Sequence, residues 1–133
     1  MRLLMKKIFI MLFAVVVMLS GCACGSESTS ASYTQITQEE AMKMMEKDDG
    51  HIIVDVRRQD EYDEGHIKGA ILIPNESISD KKPKELPDLD QIILIYCRSG
   101  RRSKEASQKL ADMGYTNIYE FGGINTWTGE IEK

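Results

Sequence analysis

A chain of 133 residues has room for one hydrophobic core and one domain, not two. Its 17 Lys and Arg against 21 Asp and Glu leave a formal charge of −4, which argues against nucleic acid as a partner and against a polybasic contact with lipid. The three cysteines, Cys22, Cys24 and Cys97, are too few and too unevenly placed for a disulfide framework.

Arg2, Lys6 and Lys7 form a basic start, and the 12 residues from Ile8 to Leu19 are an apolar run. That length suits the core of a signal peptide and falls short of the roughly 20 residues that span a bilayer. The run ends in Leu19-Ser20-Gly21-Cys22, which resembles the lipobox of bacterial lipoproteins. The resemblance implies a signal peptide over 1–21, cleavage before Cys22 and lipidation of the Cys22 sulfur. The competing reading is an ordinary secretory signal cut nearby, with Cys22 a free thiol. Removing the three basic residues takes the charge to near −7, so membrane attachment would rest on the acyl chains, of which more than one is needed. The expected location is the outer face of the cell membrane, or its periplasmic face where there are two membranes. With Cys22 modified, Cys24 is left to form any regulatory disulfide with Cys97. Residues 22–32, rich in Ser, Gly, Ala and Thr with one charge at Glu27, read as a flexible tether, and the folded domain spans 33–133.

Thr37-Gln38-Glu39-Glu40 fits a capping box, and the helix it opens presents Ala41, Met42 and Met45 to a core before ending ahead of Gly50. Ile52-Ile53-Val54 predicts a short buried strand, and Ala70 to Ile73 another that Pro74 stops. Between them Arg58 to Glu64 is polar and helical, with Gly65 at its C-terminal turn. Asn75 to Asp90 carries two prolines besides many charges and reads as mostly surface loop. Ile92 to Tyr96, the most apolar run after the leader, is the central strand. The helix after it shows Ala106, Leu110 and Met113 at i, i+4 and i+7, with Gly114 as its cap. Asn117 to Phe121 is the last strand, and Gly122-Gly123 turns into a closing helix around Trp127. Strands alternating with helices imply an α/β fold with a parallel sheet covered on both faces. Such sheets place their sites outside the carboxyl ends of the strands. Asp55, Cys97 and Gly122 each follow a strand and are therefore candidates for one shared edge.

The segment Cys97-Arg98-Ser99-Gly100-Arg101-Arg102 joins the central strand to the helix. A thiol there sits over the amino end of a helix, where free N–H groups and the helix dipole favour an anion. Such a position beside cations lowers a cysteine pKa from roughly 8.5 to about 3.5–7.5. The N–H groups of Ser99 to Arg102 form a candidate nest around the sulfur, and Gly100 permits the torsions that a tight cradle needs. Arg98, Arg101 and Arg102 offer forked donors to a sulfonate-like, sulfate-like or phosphate-like group, although Arg102, already in the helix, is also placed to pair with a carboxylate. An ionised nucleophile needs no histidine base. His66 reads as structural, bonding backbone near the edge, and His51 as a surface-loop residue. Asp55 and Arg57 are candidate supporting residues. The competing reading has Asp55 capping a turn and Arg57 pairing with Glu61.

In this order the motifs resemble the rhodanese-like domain family of single-domain type. They are Asp55-Val56-Arg57, Glu61 through Gly65-His66-Ile67 to Ala70, Ile73-Pro74, the loop Cys97 to Arg102, and Phe121-Gly122-Gly123 with Trp127, covering roughly Thr34 to Ile131. The resemblance implies a three-layer α/β/α fold with a mainly parallel five-stranded sheet. It also implies a sulfurtransferase in which Cys97 takes a sulfane sulfur from a small anionic donor such as thiosulfate. A persulfide is left on Cys97, and cyanide or a thiol removes the sulfur. The backbone of Arg98 to Arg102 would stabilise the persulfide and its arginines would hold the donor. No cofactor and no metal are expected, and the partners are these small molecules and the membrane, with the chain acting as a monomer. Related phosphatases and arsenate reductases on this fold use a loop one residue longer, whereas Cys97 and Arg102 enclose four residues. The alternative within the fold is a non-catalytic persulfide carrier or binding module.

Overall fold

The computed structural model describes residues 31–133. The expected signal peptide, the lipidated Cys22, Cys24 and nearly all of the tether lie outside the described residues. The domain runs β1 (Thr34–Gln35), α1 (Gln38–Met45), β2 (Ile52–Asp55), α2 (Gln59–Glu64), β3 (His66–Ile67), β4 (Ile71–Leu72), β5 (Ile92–Cys97), α3 (Arg101–Asp112), β6 (Asn117–Gly123) and β7 (Ile131–Glu132). Five strands form one parallel sheet in the order β1-β6-β5-β2-β4, and β3 pairs with β7 in a separate antiparallel ribbon.

Strand alternation sorts the apolar residues into two cores. From β5, Ile93, Ile95 and Cys97 join Val54, Ile118, Ala106 and Leu110 on the face covered by α3. Leu94 and Tyr96 point the other way and join Ile53, Phe121 and Ala41 on the face covered by α1. Each fully buried Leu or Ile stabilises by roughly 1.5–3 kcal/mol, so a central strand buried on both faces anchors both layers. The α1 capping box forms as expected, with Thr37 Oγ1 accepting from Glu40 N at 3.1 Å and Glu40 Oε2 from Thr37 N at 2.8 Å. Its inward face is Ala41 with Met44 and Met45, so Met44 takes the core place expected of Met42.

Several expected boundaries are corrected. The strand expected over Ala70 to Ile73 is formally two residues long, yet its pairing carries on through Ile73 N to Asp55 O and Asn75 N to Val56 O. β6 runs on to Gly123, and the expected closing helix is a single 3-10 turn, Ile124–Thr126, followed by β7. The chain after Trp127 extends because it must pair with β3 to satisfy that short strand's backbone. The segment Asn75 to Asp90 is mostly exposed loop, as expected, but two of its apolar residues turn inward. Ile78 and Leu86 are buried in the α3-side core, and the Tyr115 hydroxyl donates to Leu86 O. Two apolar residues eight apart carry no period of either element, which hid this from pattern reading.

Leu86 therefore acts as a core residue. Leu86→Ala is expected to cost about 2–5 kcal/mol in urea denaturation. A loss under roughly 0.5 kcal/mol, the range of surface substitutions, would show that Leu86 is not a core residue.

Candidate active site

Cys97 ends β5 on the α3 side and is 1% exposed. Gly100, at φ +110°, turns the chain from the strand into α3 and brings its own N–H to 3.0 Å from the Cys97 sulfur. Of the four N–H groups expected to face the sulfur, this is the one that makes the bond. Ser103, in the first turn of α3 and fully buried, puts Oγ 3.5 Å from Sγ.

The outer wall of the loop is β6. Arg98 O accepts from Asn125 N at 3.2 Å, and Gly123 must lack a side chain because a Cβ there would collide with the Arg98 carbonyl. Gln38 at the start of α1 holds Gly123 O at 2.8 Å and Thr126 Oγ1 at 2.9 Å, so the end of β6 is itself fastened. Between these parts lies a shallow cleft of about 430 Å³, rimmed by Gln38, Ser99, Gly100, Lys104 and Gly122. A larger hollow of about 680 Å³ beside Met45, Ile52 and Ile71 lies at the amino ends of the strands, away from the thiol.

The three loop arginines have different fates. Arg102 turns from the thiol to Glu61 of α2, making a forked pair at 2.7 and 3.1 Å, the carboxylate pairing that its helical position allowed. Hydrogen bonding to Arg102 holds the Glu61 carboxyl down to about 2, despite its burial. The same pair raises the Arg102 pKa, aided by its proximity to Cys97. Arg101 is exposed and reaches Glu105 at 3.1 Å, and Arg98 is exposed.

Asp55 stands on the shared edge expected of it, and neither it nor Arg57 contacts Cys97. Asp55 does end β2 at the same edge, but its register partner is Tyr96, whose side chain lies on the opposite face from Cys97. Arg57 binds Asp55 through Nε and Nη2, at 3.0 and 2.7 Å to Oδ2, and reaches Gly65 O at 2.7 Å, not Glu61. The Tyr96 hydroxyl donates to Asp55 Oδ2 at 2.7 Å and accepts from Ile67 N at 3.0 Å. Burial first, and the Asp55 charge second, push the Tyr96 phenol pKa far up. This closed network pins the segment after α2 to the sheet. It thereby positions α2, which carries Glu61. His66 is structural as expected: Nδ1 donates to Tyr62 O at 3.1 Å and the ring stacks on Tyr62 at 3.8 Å. His51 sits beside Asp49 at 2.6 Å in the turn before β2.

Two residues escaped sequence reading, Ser103 at the thiol and Glu120 behind it. Ser103 directly follows the loop. Glu120 had a visible signal, an acid at a strand position whose alternation with Tyr119 and Phe121 points it inward. Asn75 was also missed: it accepts from Lys109 Nζ at 3.0 Å and donates to Glu105 at 3.0 Å, tying the segment after β4 to α3.

A buried thiol at the carboxyl edge of a doubly covered parallel sheet, in a short cationic loop that opens a helix, defines a cysteine-based site on an α/β domain. The family model "Rhodanese-like domain" matches residues 37–130, and the chain belongs to that family. It is 36% identical over 99 residues to the thiosulfate sulfurtransferase GlpE of Coxiella burnetii, covering 71% of this chain and 87% of that protein. It is 32% identical over 108 residues to the putative sulfur carrier protein YrkF of Bacillus subtilis, covering 80% of this chain and 57% of that one. Among solved structures, a rhodanese with anions from E. coli superposes with a TM-score of 0.58 at 31% identity, covering 62% of this chain and 98% of the other.

The Glu61–Arg102 pair carries a pH dependence. A carboxylate held near 2 when folded, against 4.5 when free, stabilises the fold fully above about pH 4.5 and loses that contribution as pH falls towards 2. Glu61→Gln is expected to be less stable than wild type near neutral pH, with the gap closing in thermal melts as pH approaches about 2. A gap that stays constant with pH would assign the loss to packing instead.

Proposed function

We propose that this protein is a sulfurtransferase that carries a sulfane sulfur on Cys97. The observation that supports it best is the Gly100 N–H held 3.0 Å from a buried sulfur in a six-residue loop. The thiolate attacks the sulfane sulfur of thiosulfate, the S–S bond of the donor breaks, and sulfite leaves with the electron pair. A persulfide anion remains on Cys97 in the cradle of Ser99 and Gly100, and cyanide or a thiolate then removes its terminal sulfur. Arg98 and Arg101, exposed on the loop, attract the anionic donor, while Arg102 shapes the loop through Glu61. Asp55 and Arg57 support the site through the backbone they hold. The covalent persulfide serves in place of a cofactor. The protein works as a monomer on small anions, not on nucleic acid, outside the cytoplasm and tethered by lipid on Cys22.

Incubation with thiosulfate is expected to add the mass of one sulfur to the protein, and cyanide to release thiocyanate. Cys97→Ser should lose both signals. No adduct and no turnover in the wild type would refute the transferase, and an adduct without turnover would mark a carrier. The anchor is read separately: Cys22→Ala should leave the membrane fraction, and a variant that still partitions with membranes shows another anchor.

A further inference from the structure

Glu120 takes no part in the sulfur chemistry above, yet it is a carboxylate only 3% exposed on the α3 side of β6. Its Oε1 accepts from Ser103 Oγ at 2.6 Å and from Gly122 N at 2.9 Å. Ser103 Oγ also lies 2.9 Å from Gly100 O, 3.4 Å from Gly122 O and 3.5 Å from Cys97 Sγ. A hydroxyl has one proton to give. The shortest contact, to the carboxyl oxygen of Glu120, takes it. The lone pairs of Ser103 are then left to accept the thiol proton, and Sγ–H, Oγ–H and Oε1 form one directed line.

We infer that Ser103 and Glu120 form a proton relay that ionises Cys97, Ser103 exchanging protons and Glu120 acting as terminal acceptor. The inference rests on Cys97 being the reacting thiol of the function proposed above. Cys97 is 1% and Ser103 0% exposed, so the thiol proton has little direct route to water. In the relay the S–H bond breaks and its electron pair stays on sulfur. Ser103 takes that proton and passes its own to Glu120, so a carboxylate is exchanged for a thiolate with no change in net charge. Every bond in the line then reverses. Neutral Glu120 donates to Ser103, and the Ser103 hydroxyl donates to sulfur beside the Gly100 N–H. The same protonated Glu120 removes like-charge repulsion from a persulfide anion. When an acceptor carries the sulfur off, the thiolate returns and reclaims the proton.

Few other charged groups face this line. Lys104 of α3 rims the cleft that Glu120 lines, and Arg102 of α3, turned away to Glu61 of α2, is near enough to Cys97 and Glu76 to feel their charge. From β1 and α1 come the neutral Gln35 and Gln38. None of them is hydrogen-bonded to Ser103.

The test is the rate at which iodoacetamide alkylates Cys97 in the detergent-solubilised full chain, followed by mass at the Cys97 peptide over roughly pH 5 to 9. It needs no sulfur donor, so it can fail without the sulfurtransferase proposal failing, and the reverse. In Glu120→Gln and in Ser103→Ala, each checked by circular dichroism, alkylation near pH 6 should slow about tenfold or more and rejoin wild type near pH 9. If Glu120 is only a negative charge opposing the thiolate, Glu120→Gln has the opposite sign and speeds alkylation at low pH. That result, or a wild-type profile in Ser103→Ala, overturns the relay. Should Glu120→Gln fail to fold, the Ser103→Ala profile decides.

Discussion

Two neighbours in β5, Tyr96 and Cys97, point to opposite faces of one sheet, and the carboxyl edge is organised by that parity. Tyr96 goes to the α1 side, where its hydroxyl joins Asp55, Arg57 and Ile67 in a closed and buried polar network. Cys97 goes to the α3 side, where the loop and the first turn of the helix wrap its sulfur. Shifting β5 by one residue would exchange these roles, leaving the phenol against α3 and the thiol against Asp55, Arg57 and Ile67. Because both faces are packed, neither residue can turn over without breaking a core.

The charges at the edge are used to hold parts in place as much as to bind ligand. Arg57 is spent on Asp55 and Gly65, Arg102 on Glu61, and Arg101 reaches Glu105. The forked Arg102 pair ties α3 to α2, and the Arg57 network ties the end of α2 to β2 and β5. What faces the sulfur is therefore chiefly backbone: the Gly100 N–H and the start of α3. A backbone cradle is already oriented before any ligand arrives, whereas a long arginine side chain must be ordered on binding.

The α/β class, the central strand, the capping box at Thr37 and the reactive loop were all legible in the sequence, because each leaves a local pattern. What was not legible is long-range or too short to have a period. β1, β3, β4 and β7 are two residues each, and their pairing depends on partners up to 85 residues away. The grouping of Asp55 with Cys97 followed from strand ends lying on one edge. Strand ends carry no information about register between β2 and β5. Only the pairing of Asp55 with Tyr96 shows that Asp55 faces away from the thiol. Likewise Leu86 is buried by the return of the chain to α3, which no window of its own neighbours records.

Glu120 brings these points together. A carboxylate with 3% exposure incurs a desolvation penalty, and on the α3 face it stands among groups arranged to favour an anion on Cys97. Two negative charges so close and so dry oppose one another. The site reduces this conflict locally: Gly122 N–H and the Ser103 hydroxyl both bond the same oxygen, and the hydroxyl stands between carboxylate and sulfur. With one proton shared among thiol, hydroxyl and carboxylate, only one of the two acids need be ionised at a time. Burial makes two anions costly, and a shared proton keeps the site at one anion wherever that proton lies, so the charge can move to sulfur when a donor is to be attacked and back to Glu120 when the thiol rests.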